Sequence, residues 1–147
     1  MEIRTILVPI DFSACSSVAL DQAIELARQL SARLVLLHSY QVSVPLAPAP
    51  YLSIPPAFVE TLRKGASAEL EQLAKRAAAA GVPCESRVSN DTTVGAILEL
   101  AESLPADLIV MGTHGHTGLK HVVLGSTAER IVRLAPCPVL TVKAPKE

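Results

Sequence analysis

Short apolar runs without polar alternation recur along the chain, and between them the apolar positions fall at three- and four-residue spacing. The first run, Thr5 to Ile10 (TILVPI), predicts a strand covered on both faces, because a strand with one wet face alternates polar and apolar residues. Ser13 is placed to cap the helix that follows, whose stripe is Leu20, Ala23, Ile24, Ala27 and Leu30. Arg33 to His38 (RLVLLH) repeats the strand pattern. Ala57 to Ala80 carries Val59, Leu62, Ala66, Leu70, Leu73 and Ala77 on one helical face and stops at Gly81, with Pro83 beyond. Pro83 to Ser89 is a third strand, more polar and therefore expected nearer a sheet edge. Thr92 or Thr93 starts a helix with Val94, Ile97, Ala101 and Leu104 on its buried face. Asp107 to Met111 is the fourth strand. Ser126-Thr-Ala-Glu129 has the S-x-x-E form of a capping box, which predicts a helix start at Ser126 and apolar positions at Ala128, Ile131 and Val132. Pro138 to Lys143 is the final strand.

Strands alternating with helices predict a parallel sheet joined by right-handed crossovers. In such sheets ligands sit outside the carboxyl ends of the strands. Asp11, His38-Ser39 and Met111-Gly112 fall at three of those ends. One interval breaks the alternation. Gln41 to Pro56 holds prolines at 45, 48, 50, 55 and 56, too many for a helix or a central strand. It reads as a long surface connection, with a lid over the site as the alternative.

Composition narrows the classes. A chain of 147 residues is one domain by length, and a hydrophobic fraction of 50% with a mean hydropathy of +0.39 excludes a disordered chain. The 13 basic and 14 acidic residues nearly cancel, and only two Tyr, two Phe and no Trp are available for base stacking, so nucleic acid is not an expected partner. Cys15, Cys84 and Cys137 are odd in number and form no C-x-x-C, which reads as buried thiols in a reducing compartment. No apolar run reaches membrane-spanning length and no signal-peptide pattern precedes Arg4-Thr5-Ile6. A cytoplasmic protein with no membrane partner is expected.

Candidate chemistry concentrates in one stretch, DLIVMGTHGHTGLKHVVLGSTAERIV, residues 107–132. Four of the chain's seven glycines lie here, at 112, 115, 118 and 125, between a strand and a helix. Glycine lets the backbone approach a phosphate, and the unpaired N–H groups of the following helix start point at it. The bland alternatives are turn geometry for Gly112 and Gly115 and a simple cap for Ser126. Asp11 is open between a solvated carboxylate, a helix N-terminal charge, and a contact to a nucleoside or a metal-bound water. His114-x-His116 and His121 invite a metal, but no third ligand stands at useful spacing. His38, ending an apolar strand, reads as a packed and satisfied side chain. Thr113-His-Gly-His116 matches the T-x-G-H signature of nucleotidylyltransferases, but it follows the fourth strand here and the first strand there. No GK[ST] lysine and no carboxylate pair for Mg²⁺ is visible, so nothing is built for phosphoryl transfer beyond, at most, slow ATP hydrolysis or autophosphorylation.

Gly112-Thr-His-Gly115, nine residues, then Gly125-Ser126 fits G-x2-G-x9-G-[ST], and with it the chain resembles the universal stress protein family. The resemblance extends through ILVPIDFS, VLLHSY, the glycine block and APCPVLTVK, nearly the whole chain. It implies one domain, 1–147, with a five-stranded parallel sheet of order 3-2-1-4-5 and helices on both faces. It implies the branch of the family that binds ATP, with Mg²⁺ or Mn²⁺ held mainly by the phosphates and Asp11 reaching the metal at most through water. Pro9, Ile10, Asp11 and Ser39 would line the adenosine end. Gly112 and Gly115 would let the backbone wrap the phosphates and ribose, with Met111, Thr113 and His114 beside them in the nucleotide site, and Gly125, Ser126 and Thr127 would hold the phosphates. It also implies a homodimer paired through the last strand, at Val139, Leu140, Thr141 and Val142. Two local departures are Asn90-Asp-Thr, where a Gly-Asp-Pro-like turn is frequent, and Ser39, where an apolar residue is common. A stress-response module signalling through bound nucleotide is the function expected. The alternative is a dimeric interaction module whose loop holds no nucleotide or another small ligand.

Overall fold

The computed structural model describes residues 1–41, 54–115 and 124–144. Its strands are β1 (Thr5–Pro9), β2 (Arg33–Ser39), β3 (Cys84–Ser89), β4 (Leu108–Gly112) and β5 (Val139–Val142). Helices α1 (Ala14–Leu30), α2 (Pro56–Ala79), α3 (Thr93–Ser103) and α4 (Ser126–Leu134) alternate with them. Every strand pair is parallel and the order is β3-β2-β1-β4-β5, as expected. The chain winds outward from β1 to β3, returns, and winds outward the other way through β4 and β5. The reversal lies between β1 and β4.

The buried runs lack alternation because both faces of the sheet are covered. Ile6 and Val8 of β1 and Leu34 and Leu36 of β2 pack with Leu20, Ala23, Leu70 and Ala77 of α1 and α2. Their neighbours Leu7, Val35 and Leu37 face the other way, against Val94, Ile97, Ala101 and Ile131 of α3 and α4. Ile6, Leu7 and Val8 are all fully buried, worth about 1.5–3 kcal/mol each by removal of apolar surface from water. Helix ends follow local chemistry. Ser13 caps α1 by accepting from Ser16 N, and Thr92 caps α3 by accepting from Gly95 N. Gly81 follows α2 in the left-handed region at φ 82°, where a Cβ is disfavoured.

Several expectations need correction. Leu30 is the last residue of α1 and lies exposed, beyond the reach of the core. In α4 only Ala128 and Ile131 are buried. Val132 sits one residue, about 100°, further round the helix and is exposed. Val59, Leu62, Ala66 and Leu73 of α2 are half-buried because this helix packs on the edge strand β3 and its neighbour β2, leaving Leu70 and Ala77 as its buried anchors. Of the thiols only Cys15 is buried. Cys84 and Cys137 are half-buried in or beside the edge strands. Burial, with Glu85 adding to it, pushes the Cys84 thiol up to about 11. The proline-rich interval falls largely at 42–53, outside the described residues. Among those described, no helix is long and apolar enough to cross a membrane.

Candidate functional site

The β1–α1 junction is held by its own side chains. Ile10 N donates to Leu37 O (2.8 Å), carrying the pairing with β2 one step past β1. Ser13 N then donates to Asp11 Oδ1 (2.9 Å), closing a turn around Phe12, whose φ of 62° is costly for a bulky residue, about 1–3 kcal/mol. The Phe12 ring packs on His38 at 4.5 Å between centroids. His38 Nδ1 lies 2.7 Å from Ile10 O, and a carbonyl only accepts, so Nδ1 carries the proton. His38 is thus the packed, satisfied side chain expected. At the end of β2, Ser39 Oγ donates to Asp91 O (2.5 Å) and ties the strand to the start of α3. The Asn90-Asp-Thr turn closes on itself, with Thr92 N donating to Asp91 Oδ1 (2.6 Å).

Close approach explains the glycines. A Cβ on Gly112 would lie 2.7 Å from Cys15 Sγ and 3.1 Å from the Cys15 backbone, so α1 could not begin where it does. A Cβ on Gly115 would lie 2.5 Å from Asp11 Oδ2, and one on Gly125 would lie 2.9 Å from Thr113 O. None of the three has a positive φ, so they serve proximity and not a left-handed turn.

The capping-box reading of Ser126 is corrected. Gly125 is the N-cap of α4, without a side-chain cap, and its carbonyl accepts from Glu129 N (2.9 Å). Gly125 N donates to Thr113 O (2.6 Å), which ties the chain to the end of β4 one residue before Ser126 and starts the helix there. Ser126 and Thr127 therefore stand in the first helical turn.

These ends surround a cavity of ≈ 580 Å³ at the carboxyl edge, where the winding reverses. Every nucleotide-site residue named from the sequence lines it: Pro9, Ile10, Asp11, Ser39, Met111, Gly112, Thr113, His114, Gly115, Gly125, Ser126 and Thr127. Sequence reasoning missed Ser16, Leu37, His38, Thr93, Ile97 and Ala128, which also line it. Leu37, Ile97 and Ala128 were read only as core, and they are core residues at its open end. The signal for Thr93 was available, since helices of a parallel sheet begin at the carboxyl edge.

Among the described residues lining the cavity there is one carboxylate, Asp11, and no lysine or arginine. Helix-start N–H groups, hydroxyls and the His114 imidazole are what an anion would meet there. One carboxylate is too few to hold a hard divalent cation, which takes six or more oxygen ligands. Such an ion fits only if a ligand's phosphates supply most of them, with Asp11 as an outer contact. Among the described residues no three His, Cys, Asp or Glu side chains converge on a metal site. Gly118, His116, Lys120 and His121 lie outside those residues.

A doubly wound α/β domain with a cavity at its topological switch is the class that fold and cavity define. The universal stress protein family model matches residues 2–143, and the chain belongs to that family. Universal stress protein MJ0531 of Methanocaldococcus jannaschii is 36% identical over 149 residues, covering 98% of this chain and 84% of that protein. Among solved structures, the universal stress protein UspA of Lactobacillus plantarum superposes with a TM-score of 0.78 at 25% identity, covering 97% of this chain and 99% of that one. A universal stress protein in complex with cAMP superposes at 0.69 with 28% identity, covering 99% and 100%.

Proposed function

We propose that this protein binds ATP in the cavity at the carboxyl edge and acts as a nucleotide-dependent stress-response module of the cytoplasm. The observation that carries the reading is the meeting of the G-x2-G-x9-G-S residues with the ends of β1 and β2 around one cavity of nucleotide size. The relative solved with cAMP supports an adenine nucleotide as the ligand class. Pro9, Ile10 and Ser39 border the base end, Asp11 the ribose, and Gly112 to Gly115 with Gly125 to Thr127 the phosphates. Mg²⁺ or Mn²⁺ rides on the phosphates, offsetting charge that the described lining meets without lysine or arginine. The bound nucleotide is a signal and not a substrate for rapid turnover.

The first test is the nucleotide carried through purification. Denatured protein is passed over an anion-exchange column, and an adenine peak co-eluting with ATP at near-stoichiometric amount is expected. Equilibrium dialysis against Mg²⁺-ATP then measures the affinity. No saturable binding in that experiment would sink the reading.

The edge position of β5 favours a second role. This strand pairs with β4 on one side only among the described residues, and Leu140 on it is 40% exposed. Open edges of this kind are normally covered or paired. Antiparallel pairing of Val139, Leu140, Thr141 and Val142 with a second copy gives a homodimer. Leu140→Lys is expected to convert it to monomer in sedimentation velocity, and an unchanged dimer removes β5 from the interface.

A further inference from the structure

Thr113 lines the cavity wall, is nearly sealed from solvent at 3% exposure, and is tied to other parts of the chain through its backbone and its side chain. Its N–H donates to Val142 O (2.9 Å) and its carbonyl accepts from Gly125 N (2.6 Å). Its hydroxyl has two neighbours, His114 Nδ1 at 2.9 Å and Cys15 Sγ at 4.0 Å. The Cys15 thiol donates to Val142 O (3.5 Å), so its proton is directed away from Thr113.

Two proton arrangements are open to the Thr113–His114 pair. If His114 Nδ1–H donates to the hydroxyl oxygen, the buried hydroxyl proton is left with sulfur at 4.0 Å, a weak acceptor at the limit of contact. If the hydroxyl donates to Nδ1 at 2.9 Å, its proton is satisfied at ordinary length. A buried donor without a good partner is costly, which selects the second arrangement. With Nδ1 accepting, the proton of the neutral imidazole is on Nε2.

We infer that Thr113 is a positioning residue whose buried hydroxyl donates to Nδ1 of His114 and holds that imidazole as an Nε2–H donor for the anionic end of the ligand. The role rests on the nucleotide reading above. It makes His114 a hydrogen-bond donor to phosphate oxygen even when uncharged, in a wall whose described residues include no lysine or arginine. A ring free to take the other tautomer would present a lone pair at Nε2 and repel the same oxygen.

Long-range ¹H–¹⁵N NMR of the ligand-free protein reads the tautomer directly. His38, which donates from Nδ1 to Ile10 O, supplies the opposite pattern as an internal reference. His114 is expected to show an unprotonated Nδ1 and a protonated Nε2. A protonated Nδ1 in neutral His114 overturns the inference, and this measurement needs no variant to fold. Thr113→Val removes the hydroxyl while keeping the backbone bonds. It is expected to mix the His114 tautomers and to lower affinity for ATP about threefold to tenfold, with affinity for adenosine unchanged. Thr113→Ser is expected to restore both. An unchanged ratio of ATP to adenosine affinity in Thr113→Val overturns the role of Thr113. If the wild-type protein binds neither ATP nor adenosine, the nucleotide reading falls and the role in binding falls with it, whatever tautomer is seen.

Discussion

The two ends of the sheet use their polar groups in opposite ways. At the amino end they are spent on one another. Asp107 Oδ2 accepts from both Arg4 N and Thr5 N at 2.9 Å, Asp107 N donates to Thr5 O, and Arg33 Nε donates to Thr5 Oγ1 (3.1 Å). At the carboxyl end Asp11, Thr113, His114, Ser126 and Thr127 border a cavity, and the backbone is brought close at Gly112, Gly115 and Gly125. The difference teaches that one set of strands carries a closed end, where polar groups satisfy one another, and an open end, where they border the cavity proposed to bind nucleotide. It follows from parallel winding, which sends every helix N-terminus to the same edge. The open end also bears the strained Phe12.

The largest effect is expected where the two functions touch. Gly112→Ala forces a Cβ against Cys15 Sγ and the Cys15 backbone, and overpacking of this kind costs about 1–3 kcal/mol. Chemical denaturation is expected to show that loss together with weakened ATP binding. An unchanged midpoint would mean that the start of α1 yields freely and that the open end is less rigid than its packing indicates.

Gly115→Ala separates the ends more cleanly. Its Cβ meets the tip of a side chain, Asp11 Oδ2, and not the backbone. ATP affinity is expected to fall about tenfold, near 1.4 kcal/mol, with little change in Tm. A Tm drop as large as that of Gly112→Ala would break the distinction between frame and site.

Asp107 is the matching probe of the closed end. Hydrogen bonds from the Arg4 and then the Thr5 backbone hold its carboxyl below the ordinary value. A carboxylate lowered on folding contributes stability that is present above the unfolded pKa of about 3.9 and is lost as pH falls through the folded value. Asp107→Ala is therefore expected to lower Tm at pH 7, with the gap to wild type closing on acidification below about pH 4. ATP affinity should be unaffected. A gap independent of pH would show that the carboxylate charge is not what the two N–H groups hold.

The smallest effect concerns the edge strand β3. With its thiol pushed up to about 11, mainly by burial, Cys84 is expected to react with disulfide reagents more slowly at pH 8 than an unperturbed thiol, rising steeply toward pH 11. Fast labelling of Cys84 at pH 8 in the native protein would contradict that burial.

Much of this architecture was legible in the residues. Unbroken runs such as TILVPI and RLVLLH need two covered faces, and Leu7 facing one helical layer while Ile6 and Val8 face the other is the tertiary form of that pattern. The polar character of CESRVS placed β3 at an edge, where it is found. Other readings failed for physical reasons. S-x-x-E looked like a cap because local chemistry is all a linear pattern contains, whereas the helix that begins at Ser126 has Gly125 as its N-cap, tied by its N–H to Thr113 O. Leu30 and Val132 continue apolar stripes by spacing, but a stripe is buried only as far as the partner surface reaches.

By itself, then, the sequence determined the order of the elements, the parallel sheet they form and the stretch where ligand chemistry gathers. Periodicity and caps act over a few residues and are written along the chain. Only the tertiary structure decided why Gly112, Gly115 and Gly125 must lack a side chain. Their neighbours, Cys15, Asp11 and Thr113, come from other parts of the chain. The same holds for Thr113 and its hydroxyl: the burial that leaves it so few partners, and the turning away of the Cys15 thiol, arise only when β4, β5 and α1 meet.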